Sequence, residues 1–222
     1  MGYQLREGVH WCDCDGRAIF LDVNADRYFC LPSAANEAFI RLAQEQHRPE
    51  DGAALKMLGS RGVLVESSGI DALRAPPSID APTHDLALEP GDPASLALMV
   101  KALVTEAVAS RLLRTHSFAD TLATIQASAG KDKLSWGSER KAARSIAKAE
   151  QAIAFVSTLR DRCLVRALSV RWLCAKRGIS SKLVFGVIAH PFSAHCWVQT
   201  GGAVLVGDYE QARLYTPILV LE

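Results

Sequence analysis

With 222 residues, the chain is long enough for one large domain or two small ones with packed cores. Hydrophobic residues make up 49% and charged residues 22%, the balance of an ordinary soluble globular protein. A formal net charge of +1 excludes bulk attraction to nucleic acid or to an anionic membrane surface, so any recognition must come from specific sites.

The opening "MGYQLREGVHW" has no long apolar core, so no secretory signal is expected, and Arg6 stands where a myristoylation signal needs Ser or Thr. Three β-prone runs follow, "GVHWCDC", "RAIFLDV" and "RYFCL", separated by "DG" at 15–16 and "NAD" at 24–26. Those separators are turn signals, and the runs read as an antiparallel meander. Pro32-Ser33 opens a helix with Ala35, Phe39 and Leu42 at helical spacing. A second short helix covers about Asp51 to Gly59, and "GVLVES" at 62–67 is a further strand. Cys12, Cys14 and Cys30 have no partner pair at zinc-finger spacing, so most of the six cysteines read as buried reduced thiols. "RAPPSIDAPTHD" at 74–85, with three prolines, reads as a linker. It divides the chain into a first domain at 1–75, a linker at 76–85 and a second domain at 86–222.

The second half begins with helical patterns over 94–113, 117–128 and 138–159. Lys101, Glu106 and Arg111 break the most apolar of these, so no membrane span is expected and the cytoplasm is the default location. A helix containing Cys163 ends at Arg177 with Gly178 as its cap. "SKLVFGVI", "HCWVQT", "AVLVGD" and "TPILVL" then read as strands of an antiparallel sheet, giving an α+β fold.

Two features carry chemistry. Cys163 sits near the start of a helix that is apolar around much of its circumference, where unpaired N–H groups and the helix dipole favour a thiolate. Arg160, Arg162 and Arg166 add positive charge nearby. The second feature is "HPFSAHCWVQTGGAVLVGD" at 190–208. A two-residue Gly201-Gly202 turn would place Thr200 opposite Ala203 and therefore His195 opposite Asp208. Cys196 would then face away and pair with Gly207, and His190, before proline, would lie outside the ladder. A zinc site of Cys163, His195, Cys196 and Asp208 fails on direction, because His195 and Cys196 face opposite ways in a regular strand. Cys174 and Cys196 read as core thiols. A helix-start thiol facing a strand-borne His oriented by an acid is the papain and transglutaminase arrangement, with Cys163 as nucleophile, His195 as base and Asp208 as orienter. No cofactor or metal is expected.

"CLVRALSVRWLCAKRGISSKLVFGV" followed by "PFSAHCWVQTGGAVLVGD" resembles the transglutaminase-like B proteins of lasso-peptide biosynthesis. The N-terminal meander with its helices is similar to the small winged-helix leader-recognition domain fused to some of them, itself like the pyrroloquinoline-quinone chaperone D protein. The resemblance implies a cytoplasmic cysteine endopeptidase that removes the leader of a ribosomally made precursor. The freed core would then pass to an asparagine-synthetase-like cyclase. It also implies capture of the leader as an added β-strand, for which Arg27, Tyr28, Phe29, Cys30 and Leu31, with Leu55 and Leu58 of the second helix, are the candidate contacts. A catalytically inactive leader-binding scaffold and transfer of the acyl group to an amine are the alternatives.

Overall fold

The computed structural model describes residues 2–67, 73, 78–128, 136–154 and 163–222. The chain divides into two compact units. The first comprises residues 1–77 with Val187–Ser193 and Thr216–Leu219, and the second comprises Ser78–Gly186, Ala194–Tyr215 and Val220–Glu222. No helix among the described residues is long and apolar enough to cross a membrane.

In the first unit, β1 (Gly2–Leu5), β2 (Val9–Cys14), β3 (Arg17–Asp22) and β4 (Arg27–Cys30) precede α1 (Ser33–Ala43), α2 (Gly52–Ser60) and β5 (Leu64–Ser67). Strands β2, β3 and β4 form the antiparallel meander expected from the two turn signals. Asp15 and Gly16 both have positive φ, at 55° and 80°, which a tight two-residue turn between twisted strands requires. No turn signal or apolar alternation announces β1, which pairs with β5 as a separate ribbon. The core is aromatic: Phe39 of α1 packs against Trp11 and Phe20 at centroid distances of 5.0 and 4.8 Å, and Phe20 stacks on Phe29 at 4.9 Å. Arg41 of α1 clamps the buried Asp51 just before α2, and that hydrogen bond pulls the Asp51 carboxyl down to about 2.

The second unit holds β6 (His84–Asp85), α3 (Leu96–Thr115), α4 (Phe118–Ala127), α5 (Trp136–Ala154) and α6 (Cys163–Lys176). After them come β7 (Lys182–Ile188), β8 (Ser193–Thr200), β9 (Ala203–Val206), α7 (Tyr209–Ala212) and β10 (Thr216–Leu221), some of whose residues cluster with the first unit. The five-stranded sheet runs β10-β7-β8-β9-β6. Its β6 lies within the stretch read as a linker and pairs in parallel with β9, so the sheet is not purely antiparallel. The Thr83 N–H and hydroxyl both donate to the Gly202 carbonyl, which holds this segment against the hairpin turn. Helix α6 is buried around most of its circumference, as its sequence implies, and ends at Gly178, where φ is +65°.

Phe39→Ala should lower the unfolding free energy of the first unit by roughly 3–5 kcal/mol, because it empties the centre of this aromatic cluster. Denaturant titration followed by Trp fluorescence checks it; a loss below about 1 kcal/mol would place the core elsewhere.

Candidate active site

Cys163 opens α6 and is exposed. Three turns of buried residues, among them Val165, Leu168, Val170, Leu173 and Cys174, fix the helix behind it. Arg166, one turn along, is directed away from the thiol. Its Nε lies 3.5 Å from Glu150 Oε2 and 3.9 Å from Glu106 Oε1, tying the first turn of α6 to α5 and α3. Burial, and next the neighbouring Glu106, push Glu150 up to about 8. Arg160 and Arg162 lie outside the described residues.

Strand β8 brings two consecutive residues to this thiol. The Cys163 sulfur accepts hydrogen bonds from the Cys196 thiol and the Cys196 backbone N–H, and it also bonds the His195 imidazole. The Cys196 hydrogen bond first, and His195 second, pull the thiol down to about 4 against the opposing effect of burial. Cys163 is therefore a thiolate at neutral pH. Cys196 is buried, and its hydrogen bond to Cys163 and its burial both push it well upward, so it stays protonated as a donor. His195 Nε2 is buried without a hydrogen-bond partner. The ring is held by aromatic neighbours, Tyr215 at 5.3 Å and Trp197 at 6.1 Å between centroids.

The hairpin register differs from the expectation. Thr200 pairs with Ala203 and Gln199 with Val204, as a two-residue turn requires, but Val198 pairs with Val206. A bulge at Leu205 shifts the ladder by one residue and β9 stops at Val206, so His195 and Asp208 are not opposed. Gly207, at φ +108°, turns the chain under the imidazole; a Cβ there would stand 2.8 Å from Trp197 Cβ and 3.5 Å from His195 Nε2. Asp208 instead caps α7, its Oδ1 accepting the Gln211 N–H at 3.1 Å. The expectation that Cys196 turns away from the site is likewise corrected, since its thiol and N–H both reach Cys163. That overturns the direction argument against a metal. Even so, among the described residues no group of three or more His, Cys, Asp or Glu side chains is arranged to hold an ion. Cys174 is a buried core thiol, as expected, and burial pushes it up to about 12.

In the first unit, Arg27 and Cys30 are exposed and Tyr28, Phe29 and Leu31 half-buried along β4 and just beyond it. Leu55 and Leu58 are 2% and 0% exposed and belong to the core beneath α2; Leu55 does not fit the role of a direct contact, whereas Leu58 forms the floor of a groove beside β4.

An activated helix-start thiolate paired with a strand-borne imidazole defines the class of cysteine acyl-transfer proteins. The family model of the transglutaminase-like superfamily matches residues 103–220, and the chain belongs to that superfamily, whose members are usually cysteine peptidases or transferases. No curated protein and no solved structure matches the chain.

Iodoacetamide should alkylate Cys163 at a rate nearly flat between about pH 6 and 8, where an ordinary thiol speeds up about tenfold per unit. Mass spectrometry of the Cys163 peptide reads the rate, and a steep rise would mean that the sulfur is not ionised. Gly207→Ala should slow this alkylation and lower Tm, because the new Cβ collides with Trp197 at a positive φ.

Proposed function

We propose that the chain is a cysteine peptidase that removes the leader from a lasso-peptide precursor. The observation that carries this reading is the Cys163 thiolate bonded to the His195 imidazole at the start of a buried helix. The sulfur attacks the carbonyl carbon of the last leader residue, and the imidazolium gives its proton to the departing amine of the core. Water, deprotonated by the now neutral imidazole, then displaces the sulfur and releases the leader carboxylate. In this reading the Cys163 backbone N–H is the oxyanion donor. Asp208 follows the glycine under Nε2, and in this reading its carboxylate turns to that nitrogen when substrate binds. The product amine is the group that a separate asparagine-synthetase-like cyclase joins to an acidic side chain.

Capture of the leader is supported by the place of β4 at the end of its sheet, where among the described residues it pairs with β3 alone. A groove of about 440 Å³ lies beside it, lined by Arg27, Phe29 and Leu31 on one side and Leu58, Arg61 and Val63 on the other. An added strand would place alternate side chains into this groove.

The test is incubation with the precursor peptide encoded beside the gene, followed by mass spectrometry. Separate leader and core masses are expected. An unchanged mass would favour a scaffold, and loss of ammonia without cleavage would favour amide transfer. Cys163→Ala should abolish cleavage and leave leader affinity unchanged, whereas Arg27→Glu should weaken leader binding about tenfold by fluorescence anisotropy. Asp208→Asn should reduce kcat by at least about tenfold with little change in KM.

A further inference from the structure

Helix α3 has two faces. Its inner face, with Leu98, Ala102, Glu106 and Ala109 buried, packs against α5 and α6. Its outer face is apolar yet open to solvent: Leu96 is 75% exposed, Val104 57%, Val100 52% and Leu103 44%. These side chains present on the order of 400 Å² of contiguous apolar surface, the size at which an exposed patch on a monomer usually serves binding.

The spacing of this face indicates what kind of element covers it. Leu96, Val100, Leu103 and Ala107 follow one another by four, three and four residues, the repeat of a coiled-coil seam, so the matching surface is a helix. The seam is also complementary to itself. If a second α3 is laid antiparallel with Leu96 against Ala107, then Val100 falls against Leu103, and each leucine meets a smaller side chain. Charge agrees with the same register. Arg111 and Arg114 are exposed and continue the outer face at its C-terminal end, Arg114 lying five helical turns below Leu96. In this register Arg111 extends about one turn past the start of the other helix, toward the non-helical segment that carries the exposed Asp92. A parallel arrangement would set the arginines against their own copies. A shallow groove along one flank, lined by Ala97, Val100, Lys101, Val104 and Arg177, gives the second helix room to seat.

We propose that two copies of this chain associate through the outer face of α3, packed antiparallel about a two-fold axis with Leu96, Val100, Leu103 and Ala107 as the seam. Both subunits use the same patch, as an isologous contact requires, and the ion pairs between Arg111 and Asp92 occur twice.

Sedimentation velocity of the full chain over a concentration series tests this. A monomer–dimer equilibrium is expected. Leu103→Asp should shift it to monomer while leaving the far-UV circular dichroism spectrum unchanged. Arg111→Asp should weaken the dimer by about tenfold, and the double variant Asp92→Arg/Arg111→Asp should restore it, because each exchanged charge meets its counterpart on the other copy. The surface charge pair carries the test even if Leu103→Asp does not fold. A wild-type chain that stays monomeric at about 100 μM overturns the proposal, as does a dimer indifferent to these substitutions. Monomers that sediment with phosphatidylserine vesicles would assign the face to a membrane and overturn it equally. Mass is the readout throughout, so the outcome is independent of whether the chain cleaves a peptide.

Discussion

The chemistry of Cys163 depends on how closely strand β8 is held to the start of α6. Two adjacent residues of one strand normally point to opposite faces, yet the Cys163 sulfur meets the side chains of both His195 and Cys196 as well as the Cys196 N–H, so it must lie close against β8. Trp197 fixes that approach. A Cβ at Gly186 would lie 2.9 Å from the Trp197 ring, and one at Gly207 2.8 Å from its Cβ, so the indole occupies space on both sides of β8 that only glycine leaves open. Its Nε1 donates to Gln199 Oε1 at 2.7 Å, and Gln199 in turn donates to the carbonyls of Asp80 and Gly201. A buried, satisfied polar chain thus runs from the hairpin turn to the residue two positions from His195 in β8.

The helix side of the contact is fixed by charge. Glu106 and Glu150 are both buried, and among the described residues Arg166 is the cation paired with both. Two carboxylates and one guanidinium cannot all be ionised cheaply in a dry interior. With Glu150 raised to about 8, one proton neutralises the group at neutral pH, and the first turn of α6 is tied to α3 and α5 without a net buried charge. An arginine one turn from a cysteine looks in the sequence like a stabiliser of the thiolate, whereas here it holds the helix and the strand supplies the donors.

That contrast marks what the sequence could and could not convey. The meander, the burial of α6 and the Gly178 cap were legible because turn residues and apolar periodicity act locally. The positions of Cys163 at the head of α6 and of His195 on β8 were legible too, because both are local placements. The bulge at Leu205 was not, since it arises from how the β8–β9 hairpin meets its neighbours and no residue type announces it. One inserted residue was enough to move Asp208 off the ladder and into a helix cap. The β1–β5 pair joins segments about sixty residues apart, and the short β6 pairs with β9 across more than a hundred, distances at which strand patterns carry no partner information.

The balance between thiolate and imidazole bears on what kind of acyl transfer suits this site. A sulfur with a pKa near 4 is fully ionised at neutral pH, but a weaker base is also a weaker nucleophile, so the shift is no gain for attack alone. Its value lies in the proton. In the proposed reaction the proton that the thiol gives up to His195 is the one the amide needs, because an amine leaves only if it is protonated as the C–N bond breaks. The Cys196 thiol, kept protonated by burial and by its bond to Cys163, stabilises the resting thiolate without competing for that proton. Once the sulfur becomes a thioester its acceptor strength falls and both Cys196 donors weaken, so the arrangement favours return of the free enzyme over persistence of the acyl-enzyme. That preference agrees with the proposed hydrolysis of a peptide bond better than with storage of an acyl group for a second substrate.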